Sequence, residues 1–164
     1  PGPKYNLSQT RRYAGIMDAL SEANVPVSNV RQIDYHTVFG SPVPSTSSYK
    51  SYEELFFPVD YTAVIGFNDL QSYSAMEILK ERGYRIPEDI SLISFDHLRK
   101  THTYLPPLTS IADNTDKSIA DTAVSILLDK IKNSDSKFTG AVLPVTIYDG
   151  HTTGPVNKAF ETSF

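Results

Sequence analysis

Asn68, Asp69 and Asp96 are the residues of this sequence best placed to do chemistry on a small molecule. The first two follow the apolar run TAVIGF and the third follows ISLISF, so each stands where a strand-like segment stops. An amide both donates and accepts hydrogen bonds, and a carboxylate accepts from two donors at once. In an open parallel sheet, ligands sit beyond the carboxyl ends of the strands, where these groups would meet them. The same residue types also cap helices and turn chains, and the local pattern leaves both readings open. Asp69 and Asp96 could imitate an acid–base pair. Yet there is no G-x-S-x-G, no H-E-x-x-H and no P-loop, and His36, His97, His102 and His151 are scattered. The absence of cysteine rules out a thiol nucleophile, a disulfide framework and a cysteine-based zinc site. Reversible binding is expected, with no catalysis, no metal and no cofactor.

A βαβ unit positions these groups. Thr62 to Phe67 is short and almost wholly apolar, as a parallel strand covered on both faces should be. Ala75, Met76, Ile78 and Leu79 recur at helical spacing behind it, and Gly83 and Pro87 end that helix. Ile90 to Phe95 supplies the next strand. Upstream, a helix is expected from Ser8, capped by Ser8 or Thr10, apolar at Ile16, Met17 and Leu20, and stopped by Asn24 and Pro26. That start puts Arg11 and Arg12 in its first turn, against the helix dipole. Val27 to Asp34 reads as an interrupted strand leading to Tyr35 and His36, Gly40 to Ser48 as an exposed Ser/Pro loop, and Tyr52 to Phe57 as one or two helical turns. Downstream come a strand over Leu108 to Ile111 and a helix capped by Asn114 or Thr115. Its broad apolar stripe comprises Ile119, Ala120, Ala123, Val124, Leu127, Leu128 and Ile131. A last strand over Ala141 to Tyr148 is followed by a polar tail. The order α-β-α-β-α-β-β-α-β predicts an α/β fold, a three-layer sandwich on a mostly parallel sheet.

Bulk properties narrow the partners. The 164 residues suffice for one domain with a sizeable core, and 40% hydrophobic with 21% charged residues is a globular composition. A net charge of −4 makes the chain by itself a poor binder of a phosphate backbone. No apolar run approaches the ~20 residues of a membrane span, and no basic-then-apolar leader opens the sequence. A cytoplasmic protein without membrane contact is expected.

The run TAVIGFND, then IPEDISLISFD, then YLPPLTSI ahead of an amphipathic helix resembles the effector-binding domain of the LacI/GalR family of bacterial transcription regulators. Arg12 and Gly15 in RRYAGIMDAL fit the same family's helix opening, and the resemblance runs from about Ser8 to about Val145. It implies one lobe, plus part of the other, of a type I periplasmic-binding-protein-like fold, whose two lobes close on a small ligand, usually a sugar. Residues 1–105 and 145–164 would form the C-terminal lobe. Residues 106–144 would be crossover strands and a helix belonging to an absent N-terminal lobe. That helix, at about 25 cal/mol per Å² of apolar surface left wet, would need to fold back, swap into a neighbouring chain or expose a patch that drives association.

The resemblance also implies roles. Arg12 would donate a fork of bonds to sugar hydroxyls, Asn68 would donate and accept, and Asp96 would accept from two hydroxyls. Tyr35 would pack on the sugar face, Phe95 would flank the site, and Asp113 would touch ligand or report lobe closure. Asp69 would cap its helix. A homodimer would form through the Leu70–Arg82 helix region, and DNA would be bound only by an absent N-terminal head. Departures from the family pattern are Ser94 for the usual glycine, His97 for an acidic residue, Ser72 and Ser74 for smaller residues, and no basic residue near Asp149-Gly150. The alternatives are a stand-alone periplasmic-type sugar-binding protein, or a small α/β enzyme using Asp69 and Asp96.

Overall fold

The computed structural model describes residues 7–33, 55–98, 106–113, 118–133 and 140–157. The chain divides into two compact units, Pro1–Asp60 and Tyr61–Phe164.

In the first unit, helix α1 spans Leu7–Glu22. It begins earlier than expected, so Ser8 and Thr10 lie inside it, and Arg11 and Arg12 fall in the second turn, where the opposing dipole is weaker. Its end is as the sequence suggests. Asn24 adopts φ +56°, and Asn24 N–H and Val25 N–H donate to Ser21 O and Leu20 O at 3.0 and 2.9 Å, which satisfies the last carbonyls. The strand expected over Val27 to Asp34 does not form. Val27–Asn29 is a single 3-10 turn after Pro26, and the rest of the described stretch has no regular structure. The reason is burial: Val27 is 67% exposed, so no covered face rewards an extended conformation. Arg31 reaches forward instead, donating to Phe56 O and Pro58 O at 3.1 Å each and pairing with Asp60 at 3.2 Å. Of the helical turns expected over Tyr52 to Phe57, residues 55–56 form a turn and 52–54 lie outside the described residues.

The second unit carries a four-stranded sheet in sequence order: β1 (Ala63–Ile65), β2 (Ser91–Phe95), β3 (Thr109–Asp113) and β4 (Val145–Tyr148). The first three strands run parallel, with Ile65 opposite Ile93 and Phe95 opposite Ile111. β4 pairs antiparallel to β3, with Ile147 opposite Ile111. Helix α2 (Asp69–Glu81) joins β1 to β2. It ends in a Schellman turn: Gly83 at φ +86°, with Gly83 N–H and Tyr84 N–H donating to Lys80 O and Leu79 O at 3.0 Å. Tyr73 and Met76 of α2 meet Leu92 of β2 and Leu108, with Val64 and Ile86 packed against them. Burying a side chain such as Met76 or Leu92, both at 0% exposure, contributes about 1.5–3 kcal/mol.

Two expectations need correction here. Helix α3 (Ile119–Lys132) is capped not by Asn114 or Thr115 but by Ser118, whose hydroxyl accepts from Asp121 N–H at 3.0 Å. The first part of the polar tail expected after β4 is held against the sheet. Thr152 is buried; its hydroxyl donates to Leu92 O at 2.6 Å and accepts from Thr109 N–H at 2.8 Å, while its carbonyl accepts from Leu92 N–H at 2.7 Å. Gly150 passes so close to Pro107 and Leu108 that a Cβ would stand 2.2 Å from their backbone atoms, which demands glycine. Of the three outcomes open to the apolar stripe of α3, it does not fold back onto the described residues: none of its residues is buried, and Ile119, Val124, Leu127 and Ile131 are each more than half exposed. No helix among the described residues is long and apolar enough to cross a membrane.

Candidate ligand-binding site

Asn68, Phe95, Asp96 and Asp113 all stand at the carboxyl edge of the parallel part of the sheet, at the exits of β1, β2 and β3. Tyr35 lies outside the described residues. Arg12 belongs to the first unit, where it is half-buried on α1. The topology therefore brings four of the six expected residues to one edge.

Asn68 is the N-cap of α2. Its backbone is extended and its side-chain oxygen accepts from Gln71 N–H at 2.9 Å. This is the capping role the residue type allowed, and it occupies only the amide oxygen. Asp69 does not cap, contrary to expectation. Its side chain is turned inward at 2% exposure, where one oxygen accepts from Ser110 Oγ at 2.9 Å and the other from Leu98 N–H. An isolated buried carboxylate is costly, so both oxygens are matched by donors, and the first turn of α2 adds its dipole. Tyr73, one turn on, feels the arrangement. Burial first, and the charge of Asp69 second, push its hydroxyl above the usual tyrosine range.

Asp96 and His97 leave β2 with φ +95° and +47°. Left-handed backbone in non-glycine residues costs about 1–3 kcal/mol, although Asp and His tolerate it better than most. Every amide of the turn is nonetheless placed. Asp96 N–H donates to Ile111 O at 3.0 Å, His97 N–H to Ser110 Oγ at 3.0 Å, and Leu98 N–H to Asp69. The His97 ring stacks on Tyr148 of β4 with centroids 3.9 Å apart and planes within 9°. Tyr148 in turn donates its hydroxyl to Asp113 O at 2.9 Å. Asp113 uses its carboxylate on Ile119 N–H at 2.8 Å, tying β3 to the start of α3. Phe95 is half-buried at the end of β2.

Two of the departures from the family pattern explain each other. Ser72 Oγ donates to Ser94 Oγ at 2.8 Å, and both residues are at 0% exposure. Each hydroxyl also has a backbone carbonyl in reach, Asn68 O at 2.9 Å from Ser72 Oγ and Phe95 O at 3.4 Å from Ser94 Oγ, so both are matched although buried. Gly66 completes the niche: a Cβ there would lie 1.8 Å from Ser72 Oγ, so the glycine of the GFND run is imposed by sterics. Sequence reasoning missed this pair, Ser110, and the reciprocal Thr109–Thr152 bonds. The available signal was a set of hydroxyl side chains inside otherwise apolar strands, at positions the pleat turns inward. Away from this edge, Asp149 accepts from His151 N–H at 2.8 Å, the main reason its carboxyl sits below the usual range.

The profile of the periplasmic binding protein-like domain family matches residues 2–153. The HTH-type transcriptional repressor PurR of Escherichia coli is 34% identical over 136 residues, which is 81% of this chain and 37% of the repressor. Among solved structures, a LacI-type transcription regulator of Bifidobacterium animalis subsp. lactis aligns with a TM-score of 0.69 at 27% identity, covering 90% of this chain and 51% of that one. A LacI family transcriptional regulator of Enterococcus faecium with bound ribose aligns with a TM-score of 0.67 at 25% identity, covering 89% of this chain and 52% of its own. The chain thus spans 37% of this curated relative and about half of the solved regulators. The four-stranded α/β sheet and these likenesses agree, and the chain belongs to the periplasmic-binding-protein-like domain family, in the effector-binding form found in LacI-type transcriptional regulators.

Proposed function

We propose that this chain is the ligand-sensing part of a bacterial transcriptional repressor, binding a sugar or related small metabolite at the carboxyl edge of its sheet. The observation that carries the reading is the placement of Asn68 and Asp96 at the exits of neighbouring parallel strands, in a family where one relative holds ribose. Asn68 Nδ2 donates to a ligand oxygen and the Asp96 carboxylate accepts from two hydroxyls. Phe95 walls the site, and Asp113 reports closure through its bond to the start of α3. The whole regulator reads DNA through a region outside this sequence and works in the cytoplasm. The ligand acts by favouring a closed state of two lobes, which is a switch.

Residues 1–105 and 145–164 form the C-terminal lobe in this reading, and residues 106–144 cross toward the N-terminal lobe. The exposed stripe on α3 supports that division, because an apolar helix face of this kind is stable when a second lobe covers it. Homodimerisation through the Leu70–Arg82 region uses the outward face of α2. There Leu70 is 52% exposed while Ala75, Met76, Ile78 and Leu79 point into the core. Catalysis is disfavoured because Asp69, the partner Asp96 would need in an acid–base pair, spends both oxygens on Ser110 and Leu98. Calorimetric titration with ribose and a panel of other sugars tests the proposal. Binding abolished by Asp96→Asn supports it, and turnover of any panel member would refute it. Affinity should be weak, since one cleft wall lies in the other lobe.

A further inference from the structure

We propose that Asp69 is a positioning residue, a buried clasp that fixes the Asp96 turn and locks it to Asn68. The inference rests on the ligand-binding reading above for its consequence, but on geometry for its substance. Asp69 follows Asn68 directly and opens α2, so its backbone is part of the β1 exit. Its side chain crosses to the β2 exit, where one oxygen holds Leu98 N–H. The other holds Ser110 Oγ at 2.9 Å, and that hydroxyl oxygen accepts from His97 N–H at 3.0 Å. One carboxylate thus orders two successive amides, one directly and one through Ser110. They lie on either side of His97, at φ +47°, directly after Asp96 at φ +95°.

Such a turn does not hold itself. Each left-handed residue has a lower-energy extended or right-handed alternative, and a single flipped peptide would swing the Asp96 carboxylate away from the sheet edge. The clasp disfavours that alternative, because a flip would take Leu98 N–H from Asp69 or His97 N–H from Ser110 Oγ, and both acceptors belong to buried residues. Rigid support of this kind is what keeps a binding group within a fraction of an ångström of its working position. Asp69 itself is buried, touches no ligand in this scheme, and acts through Asp96.

The test uses the full chain, 15N-labelled, as wild type and as Asp69→Asn and Ser110→Ala. Replacing one oxygen of Asp69 by NH2 sets a donor against Leu98 N–H or Ser110 O–H. Amide exchange at Leu98 should rise about tenfold, the factor that loss of one hydrogen bond allows. The HN–Hα couplings of Asp96 and His97, which report φ, should change. Amides of Met76 and Ile78 in the α2 core should keep their protection, whereas a merely structural role would lower all of them together. Ser110→Ala should free His97 N–H while leaving Leu98 slow, and it decides the matter if Asp69→Asn does not fold. Unchanged couplings at Asp96 and His97 in both folded variants, or in Ser110→Ala alone if only it folds, would overturn the proposal. A ribose titration in parallel separates the two claims. If Asp96→Asn leaves ribose binding as in wild type, the ligand reading fails while exchange and couplings still judge the clasp. If Asp96→Asn abolishes binding, Asp69→Asn should weaken it about tenfold.

Discussion

Helices α2 and α3 begin alike and end differently. Each follows a strand of the same sheet, each is capped by a short polar side chain accepting from the third residue on, and their lengths are 13 and 14 residues. α2 buries seven residues and α3 buries none, although α3 is the more apolar of the two. Local helix signals are therefore satisfied in both, and they do not decide stability. What separates the helices is a partner. The β1–β2 pair lies directly under α2, and its Leu92 completes the cluster with Tyr73 and Met76. Most helical stability in proteins comes from such packing and little from propensity, so α3 depends on whatever covers it.

Core truncation gives the sharpest test of that contrast. Met76→Ala in α2 should cost about 2–5 kcal/mol in urea unfolding, the range for a buried methionine. An equal loss from Leu127→Ala in α3 would destroy the comparison. Next in size is Gly66→Ala, which drives a methyl onto Ser72 Oγ and should destabilise by about 1–3 kcal/mol in thermal melts. Adding Ser72→Gly should recover only part of that loss, because it removes the clash but puts a glycine inside α2 and takes a partner from buried Ser94 Oγ. The caps come third. Asn68→Ala should lower global stability by about 0.5–2 kcal/mol. Ser118→Ala should instead fray α3 in amide exchange and leave the global transition in place. Leu127→Glu should move stability by no more than about 0.5 kcal/mol while reducing self-association in sedimentation runs. A large destabilisation there would mean α3 is already covered within the chain.

The last and smallest effect concerns the turn after α2. Arg85 donates to both oxygens of Asp89 at 2.7 and 2.8 Å, which with the Arg85 backbone bond holds the Asp89 carboxyl down at about 2. A carboxyl lowered in the folded state adds stability above its unfolded value of 3.8 and loses it as pH falls toward 2. Acid unfolding of Arg85→Met should accordingly show a shallower pH dependence between about pH 4 and pH 2. The pair is solvent-facing, so the change is expected to be modest.

Much of this molecule is readable from residue order. The apolar runs before Asn68 and Asp96 are strands, the 3.6-residue spacing between them is a helix, and Asn24 and Gly83 stop helices because they accept positive φ. The errors share a cause. Val27 was expected in a strand and lies in a 3-10 turn, Thr152 was expected in a polar tail and is buried, and Asp69 was expected to cap and points inward. In each case the residue type permits several conformations: Val27 meets no covering face, and for Asp69 and Thr152 a group distant in sequence selects one. For Asp69 that group is Ser110, forty-one positions along the chain. For Thr152 it is Leu92, sixty positions back.

Periodicity and punctuation act between neighbours a few residues apart, so the order of residues alone specified most of the segments that coil or extend, and that the exits of β1 and β2 carry Asn68 and Asp96. Whether a hydroxyl, a carboxylate or an apolar stripe ends up inside or out depends on what the folded chain brings against it. That question is answered by desolvation and hydrogen-bond matching between remote segments, and it was decided only when β1, β2, β3 and the segment through Thr152 came together.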